Sequence, residues 1–282
     1  MSESILYVVA TPIGNLADIS ERALTVLRSV DLIAAEDTRH TRQLLMYFTI
    51  NKPLFSVHDH NEHQRVEKVL ADLASGLSIA LVSDAGTPLI SDPGFVLVQA
   101  VRQAGFKVVP VPGPCAMVAA LSAAGLATNR FCFEGFLPAK SSGRKKQLQT
   151  LLNEPRTMVF YESPHRIVEC LNDLQAVFGP DRLLTLAREL TKTFETILSG
   201  SIEQIITWVQ ADPNQQRGEF VLVLAGAPEQ EESESLQIAA EQVLKLLLEE
   251  LPVKQAAALT AKITGQKKNA LYQQALALQS DN

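Results

Sequence analysis

Residues 77–94, LSIALVSDAGTPLISDPG, decide how the first half of the chain is read. The run Leu77–Ser83 is apolar, short and bounded by turn residues, which predicts a buried strand and not a helix. At Asp84 it breaks into a loop where Gly86 and Gly94 permit positive φ and Pro88 and Pro93 stiffen the chain around them. The same strand signal recurs on both sides, at residues 5–11 (ILYVVAT), 31–36 (DLIAAE), 53–57 (PLFSV) and 106–111 (FKVVPV). Helical patterns separate these runs, one opened by Ser20 as N-cap and another capped by Asn61 and stopped by Gly76. Strands alternating with helices predict a parallel sheet with crossover helices.

Past residue 113 the rhythm changes. Strands are expected in TMVFYES, LLTLAREL, FETILSG and EFVLVLA with two clear helices between them, which suggests a mixed sheet. Pro112, Gly113 and Pro114 mark the boundary. The expected organisation is an α/β domain at 1–113, a second at 114–228 and an acidic linker with a helical tail at 229–282. In the tail, two helices flank a turn at Thr264 and Gly265, and Ala256, Ala257 and Ala261 allow close contact in a helix-turn-helix pattern.

With 282 residues, 46% hydrophobic and 20% charged, the chain can bury large cores. The absence of a long apolar run or a secretory pattern leads to the expectation of a cytoplasmic protein away from membranes. Cys115, Cys132 and Cys170 are odd in number and lie in apolar sequence, so they read as core residues and not as a disulfide framework or zinc site. The net charge of −6 is uneven: residues 1–228 carry 20 basic and 23 acidic side chains, residues 229–250 one and seven, residues 251–282 four and one. A nucleic-acid partner is therefore not excluded.

Open parallel sheets carry their chemistry at the strand carboxyl ends. Neither G-x-G-x-x-G nor a P-loop follows the first strand, and no G-x-S-x-G elbow appears, which argues against dinucleotide, nucleotide-phosphate and hydrolase chemistry. In the loop of residues 84–94, Asp92 reads as the N-cap of a helix starting at Pro93. Asp84, directly after its strand, is either a turn former or a functional carboxylate.

Seven segments together resemble the tetrapyrrole methylase superfamily in its ribosomal branch, the small-subunit rRNA methyltransferases: ATPIGNLADIS, AAEDTRHT, LVSDAGTPLISDPG, VPVPGPCA, FYESPHR, ARELTKTFE and GEFVLVL. The resemblance spans essentially the whole chain. It implies two α/β domains, S-adenosyl-L-methionine held in the cleft between them, a homodimer, and methylation of a cytidine ribose 2′-oxygen in 16S rRNA of the small subunit. By motif position it implies cofactor contacts at Pro12, Asp84, Gly86, Ile90, Ala116, Tyr161, Ala187 and Glu219, with Asp84 facing the donor's positive end. The first loop, TPIGNL, is less glycine-rich than the small-molecule enzymes would have, which implies a different acceptor.

Methyl transfer from a sulfonium is an in-line displacement and relies on positioning, with a base assisting a weak ribose nucleophile. Glu36, Asp37, Glu162 and Glu189 are the acids expected to ring the acceptor, with Arg39, Arg42 and Arg188 on phosphates. Each has a plainer alternative: Asp37 or Thr38 as a helix cap, Ser163 as a cap near Glu162, and Arg188–Glu189 as a buried pair. His58, His60 and His63 offer RNA contact or a hydrogen-bond network more readily than a metal site, and no metal is expected. Lys140, Arg144, Lys145 and Lys146 read as a mobile basic arm or a solvated helix start, and Lys267 and Lys268 as phosphate contacts in the tail. Two other readings stay open, a tetrapyrrole-type small-molecule methyltransferase and a non-catalytic RNA-binding assembly protein.

Overall fold

In the first half, β1 (Ile5–Val9), α1 (Glu21–Ser29), β2 (Leu32–Ala35), α2 (Thr38–Tyr47), β3 (Leu54–Ser56), α3 (Glu62–Ala74), β4 (Ile79–Val82), α4 (Phe95–Gln103) and β5 (Lys107–Val111) alternate as expected. These assignments come from a computed structural model that describes residues 4–58, 61–228 and 232–280, without the side chains of 232–239, 279 and 280. His60, Glu229 and Glu231 lie outside the described residues. All strand pairs are parallel, in the order β3-β2-β4-β1-β5. Period-2 alternation splits β2 between two cores: Ile33 and Ala35 pack under α1 and α2, and Ala34 under α3 and α4. Central β4 is buried along its whole length, which is why it reads as an unbroken apolar run.

Ser20 caps α1 through its Oγ, which accepts the Ala23 N–H at 3.1 Å. Asn61 occupies the N-cap of α3 without bonding its first turn; its side chain instead accepts the His58 N–H at 2.9 Å. The expected cap at Asp92 does not form. Helix α4 begins at Phe95 with Gly94 as N-cap at φ +127°, and an added Cβ there would lie 2.9 Å from Leu81 Cδ2.

After α5 (Ala116–Ala123), the second sheet is built from β6 (Phe131–Phe136), β7 (Thr157–Glu162), β8 (Leu183–Arg188), β9 (Thr196–Ser201) and β10 (Phe220–Leu224). Helices α6 (Ser141–Thr150), α7 (Ile167–Phe178) and α8 (Ile202–Ala211) intervene. The order is β6-β7-β10-β8-β9, with only the β6–β7 pair parallel, so the sheet is mixed as predicted. Strand β6 carries no clear strand signal in its sequence, because FCFEGF is interrupted by Glu134 and Gly135, where the register shifts in a bulge. One face packs Met158, Phe160, Leu186 and Leu222 against α7 and α8, and the other packs Val159, Tyr161, Ala187 and Val221 against α5. Cys170 is buried, whereas Cys115 and Cys132 are half-buried; all three are free.

Residues 1–226 form one compact unit and 227–282 a second. The second contains α9 (Glu232–Glu250), α10 (Val253–Thr264) and α11 (Lys268–Ser280) around Ala240, Leu244, Ala256, Ala257, Leu271 and Ala275. Its turn is at Gly265, in the left-handed region at φ +73°. Among the described residues, no helix is long and apolar enough to cross a membrane.

Candidate active site

The loops after β1 and β4 meet at the point where the strand order of the first sheet reverses. Thr11 and Gly86 exchange backbone hydrogen bonds, Thr11 N–H to Gly86 O at 2.8 Å and Gly86 N–H to Thr11 O at 3.0 Å. Gly86 needs its positive φ of +79° here. Thr87 Oγ1 donates to Pro114 O at 3.0 Å, tying the same loop to the Pro-Gly-Pro turn. Above this knot lies a cleft of ≈ 360 Å³, walled by Ile13, residues 85–87 and residues 90–92 on one side and by Tyr161 and Val221 of the second sheet, with Leu190 just past β8, on the other. Its size is in the range of small-molecule sites.

Five of the expected cofactor residues line the cleft: Gly86, Ile90, Ala116, Tyr161 and Glu219. Tyr161 accepts the Met117 N–H at 3.0 Å, fixing the first turn of α5. Burial, then the neighbouring Cys115, push the Tyr161 phenol well above its ordinary pKa, so it stays protonated. Pro12 and Ala187 are buried and do not line the cleft. Asp84 also does not line it: its Oδ1 accepts the Asp37 N–H at 3.0 Å, and its own N–H points to Glu36 Oε2 at 3.5 Å.

The expected ring of acids divides into three groups. Glu36, Asp37 and Asp84 cluster at the carboxyl ends of β2 and β4. Asp37 is the N-cap of α2, accepting the Arg39 N–H at 2.8 Å, and its ion pair with the exposed Arg39 guanidinium (2.6 Å) holds its carboxyl well below the usual range. Glu189, at φ +50°, accepts Lys192 Nζ and the Glu219 N–H, both at 2.9 Å. Burial raises its pKa, but the bonds from Lys192 and the Glu219 N–H, with the nearby positive charges, together outweigh this and leave it lowered.

Glu162 is turned the other way. It follows Met158 and Phe160 onto the α6–α7 face, opposite Tyr161, and its side chain is 0% exposed against Arg166 at 2.7 Å. Only its residue edge reaches the cleft, because side chains on a strand alternate between faces. Ser163 is not a cap either; the N-cap of α7 is Arg166, and the Ser163 N–H donates to Glu162 Oε1.

Two arginines expected on phosphates are structural. Arg188 gives its guanidinium to Arg217 O (2.7 Å), Asn214 O (2.9 Å) and Phe194 O (3.2 Å), so it neither pairs with Glu189 nor faces solvent. Arg144 is not on a mobile arm: it lies within α6, 0% exposed, with Nε 2.7 Å from Asp173 Oδ2. Of the expected phosphate contacts, Arg39, Arg42, Lys140, Lys145, Lys146, Lys267 and Lys268 are exposed. Asn61 Nδ2 lies 3.0 Å from His58 Nε2 and His63 is exposed. Among the described residues, no group of three or more His, Cys, Asp or Glu is placed to hold a metal.

Sequence reasoning missed Asp92, which lines the cleft, and the bridging role of Lys192, whose Nζ reaches both Glu189 and Glu219 Oε2 (2.8 Å). The stem of Lys192 lies against Gly14, where an added Cβ would be 2.5 Å from Lys192 Cγ. That glycine was the available signal.

Two sheets joined through this cleft define the class as a methylase-type α/β fold. The same architecture occurs in the crystal structure of the methyltransferase CobJ (TM-score 0.58, 21% identity, covering 80% of this chain and 95% of that one). It also occurs in uroporphyrin-III-C-methyltransferase from Thermus thermophilus (TM-score 0.54, 21% identity, 79% and 94%). At such identity the likeness is one of fold alone. The chain belongs to the tetrapyrrole (corrin/porphyrin) methylase family, whose model matches residues 5–206, and residues 234–279 match the RsmI C-terminal HTH domain. Among its relatives, the ribosomal RNA small subunit methyltransferase I of Escherichia coli O157:H7 is 58% identical over 275 residues, 98% of this chain and 96% of that protein. The protein of the same name from Pseudomonas aeruginosa is 58% identical over 276 residues, 98% of each. The family resemblance carried by the seven motifs therefore holds.

Proposed function

We propose that this chain transfers a methyl group from S-adenosyl-L-methionine to the ribose 2′-oxygen of a cytidine in 16S rRNA of the small ribosomal subunit, as a homodimer in the cytoplasm. The observation that carries the reading is the near-full-length match to proteins named for small-subunit rRNA methylation, together with the cleft formed by the matching motifs.

The cleft fits the donor. Its walls are mostly apolar, and the Gly86 corner, where a Cβ would stand 3.3 Å from Ile13 Cγ2, leaves backbone accessible between the two loops. Gly86, Ile90, Ala116, Tyr161 and Glu219 would hold the donor, while Pro12, Asp84 and Ala187 shape the site from behind. When bound, the donor supplies a methyl group already activated on a sulfonium. The protein's part is to exclude water and fix the acceptor. Glu36 and Asp37 are the acids at the acceptor side, and Asp37, held ionised by Arg39, orients more readily than it takes a proton. Exposed Arg39, Arg42, Lys140, Lys145 and Lys146, with Lys267 and Lys268 of the helical unit, suit phosphate contact. Exposed Leu183 at one end of the β8–β9 pair, and exposed Ile197 with Phe194 at the other, offer apolar surface for a second subunit.

The test is incubation with methyl-labelled donor and isolated small subunits, naked 16S rRNA or a porphyrinoid, followed by mass mapping of the product. Label on a cytidine ribose, reduced at least about tenfold by Glu36→Gln or Asp37→Asn, is the expected result. Label on the porphyrinoid, or on no substrate, overturns the proposal.

A further inference from the structure

Helix α4 follows the cleft loop of residues 84–94, and the cap of its first turn comes from another element. Its N-cap is Gly94, which has no side chain, and a Cβ there would meet Leu81 Cδ2 at 2.9 Å. Glu62, the first residue of α3, supplies the missing oxygen: its Oε1 accepts the Leu97 N–H at 2.8 Å. Leu97 is the third residue of α4, and its amide is one that a local N-cap side chain would take. An acid at a helix start ordinarily stays in water, yet Glu62 is only 6% exposed, beside the apolar contact of α3 with α4.

The loop that leads into α4 is fastened along its length. At its start Thr11 and Gly86 exchange backbone bonds, and Thr87 bonds Pro114 O. Further on it meets the β6 bulge, where a Cβ on Gly135 would lie 3.3 Å from Ser91 Oγ. The Glu62 bond secures the far end. Between these points Leu89 and Ser91 take φ +73° and +66°, a costly conformation for residues with a Cβ that persists only while its surroundings impose it. Ile90, Ser91 and Asp92, which line the cleft, lie in this strained part, whereas Glu62 does not line it. Glu62 is itself held from behind. Its N–H and that of Asn61 donate to His58 O at 3.0 and 2.8 Å, and the Val57 N–H donates to Ala35 O at 2.8 Å, one residue before Glu36.

We propose that Glu62 is a positioning residue for donor binding: by capping α4 from α3 it keeps the strained loop in the form that walls the cleft, without touching the donor. The inference rests on S-adenosyl-L-methionine occupying this cleft. Removing the side chain leaves the buried Leu97 N–H without its acceptor, and the loop then relieves its strain by moving residues 89–92 off the wall. Donor affinity falls although every residue that lines the cleft is unchanged.

Calorimetric dissociation constants of S-adenosylmethionine on the full-length protein test it. Glu62→Ala is expected to weaken the donor about tenfold, equivalent to about 1.4 kcal/mol, and to raise its KM while kcat at saturating donor stays within about twofold. Glu62→Gln, which keeps an oxygen for the Leu97 N–H, is expected to stay within about twofold of the unaltered protein. Glu62→Asp, one methylene shorter, takes the place of the alanine variant if that one fails to fold. Arg144→Ala, which acts on α6 and α7, is the control for general destabilisation and is expected to keep donor affinity. Hydrogen exchange across residues 84–97 of the ligand-free protein should quicken in Glu62→Ala and not in Arg144→Ala. Unchanged donor affinity in Glu62→Ala, or a loss of equal size in Glu62→Gln or in Arg144→Ala, overturns the proposal and leaves the methyltransferase reading standing. If the unaltered protein binds no donor, that reading fails and this inference with it.

Discussion

Arg144→Ala separates a structural role from an RNA-binding one. The substitution removes a 0% exposed guanidinium that bonds Asp173 Oδ2 at 2.7 Å, Ala139 O at 3.3 Å and Pro138 O at 3.4 Å. Asp173, 7% exposed, keeps Ser141 Oγ at 2.9 Å and Lys145 at 3.3 Å. Removing one partner of a buried pair costs ~3–5 kcal/mol, and the surviving Lys145 contact puts the expectation near the lower end, about 3 kcal/mol. At about 2–4 °C per kcal/mol, the melting temperature should fall by roughly 6–12 °C. Burial opposes the Asp173 charge, but bonds led by Arg144 outweigh it and hold the carboxyl below its usual 3.8. The pair therefore stabilises the folded chain above about pH 4, and its contribution disappears as the pH falls through the lowered folded-state value. Circular-dichroism melts of the unaltered protein and the variant between pH 7 and pH 3 should show a constant gap that narrows only at the acid end. In a salt titration of subunit binding, Arg144→Ala should leave the slope unchanged, whereas Lys146→Ala should reduce it by about one. A stable Arg144→Ala protein with a reduced salt slope would refute the structural assignment and restore Arg144 to the RNA surface.

Two further outcomes are expected. Because the Lys192 stem rests on Gly14 while its Nζ bridges Glu189 and Glu219, Gly14→Ala and Lys192→Ala should each weaken donor binding by roughly three- to tenfold, with a double variant little worse than either single one. Calorimetric effects that simply multiply would mean the two residues are not coupled. Removal of residues 227–282 should leave donor affinity within about twofold, since the cleft is built wholly within residues 1–226, while weakening subunit binding and flattening its salt dependence; donor affinity that fell in parallel would show that the tail supports the cleft.

The sequence by itself determined the first sheet, because short apolar runs separated by capped helices admit little besides a parallel α/β layer. It also located the cleft's glycine-cornered loop and the motifs that place the chain in its family. The direction in which each acid points was not legible. In the sequence Glu162 is simply the acid at the end of the strand run TMVFYES; the pairing of β7 within its sheet turns its carboxylate toward Arg166 and away from Tyr161. Arg144 looks like one of several loop cations until α6 docks on α7 and encloses it with Asp173. Asp92 follows the local rule for a cap, and only the contact of its loop with a bulge more than forty residues away, at Gly135, overrides that rule. Periodicity and capping are properties of neighbours in the chain, so the sequence carries them directly. Facing, burial and charge pairing are properties of neighbours in space, which become defined only when the sheets and their helices pack.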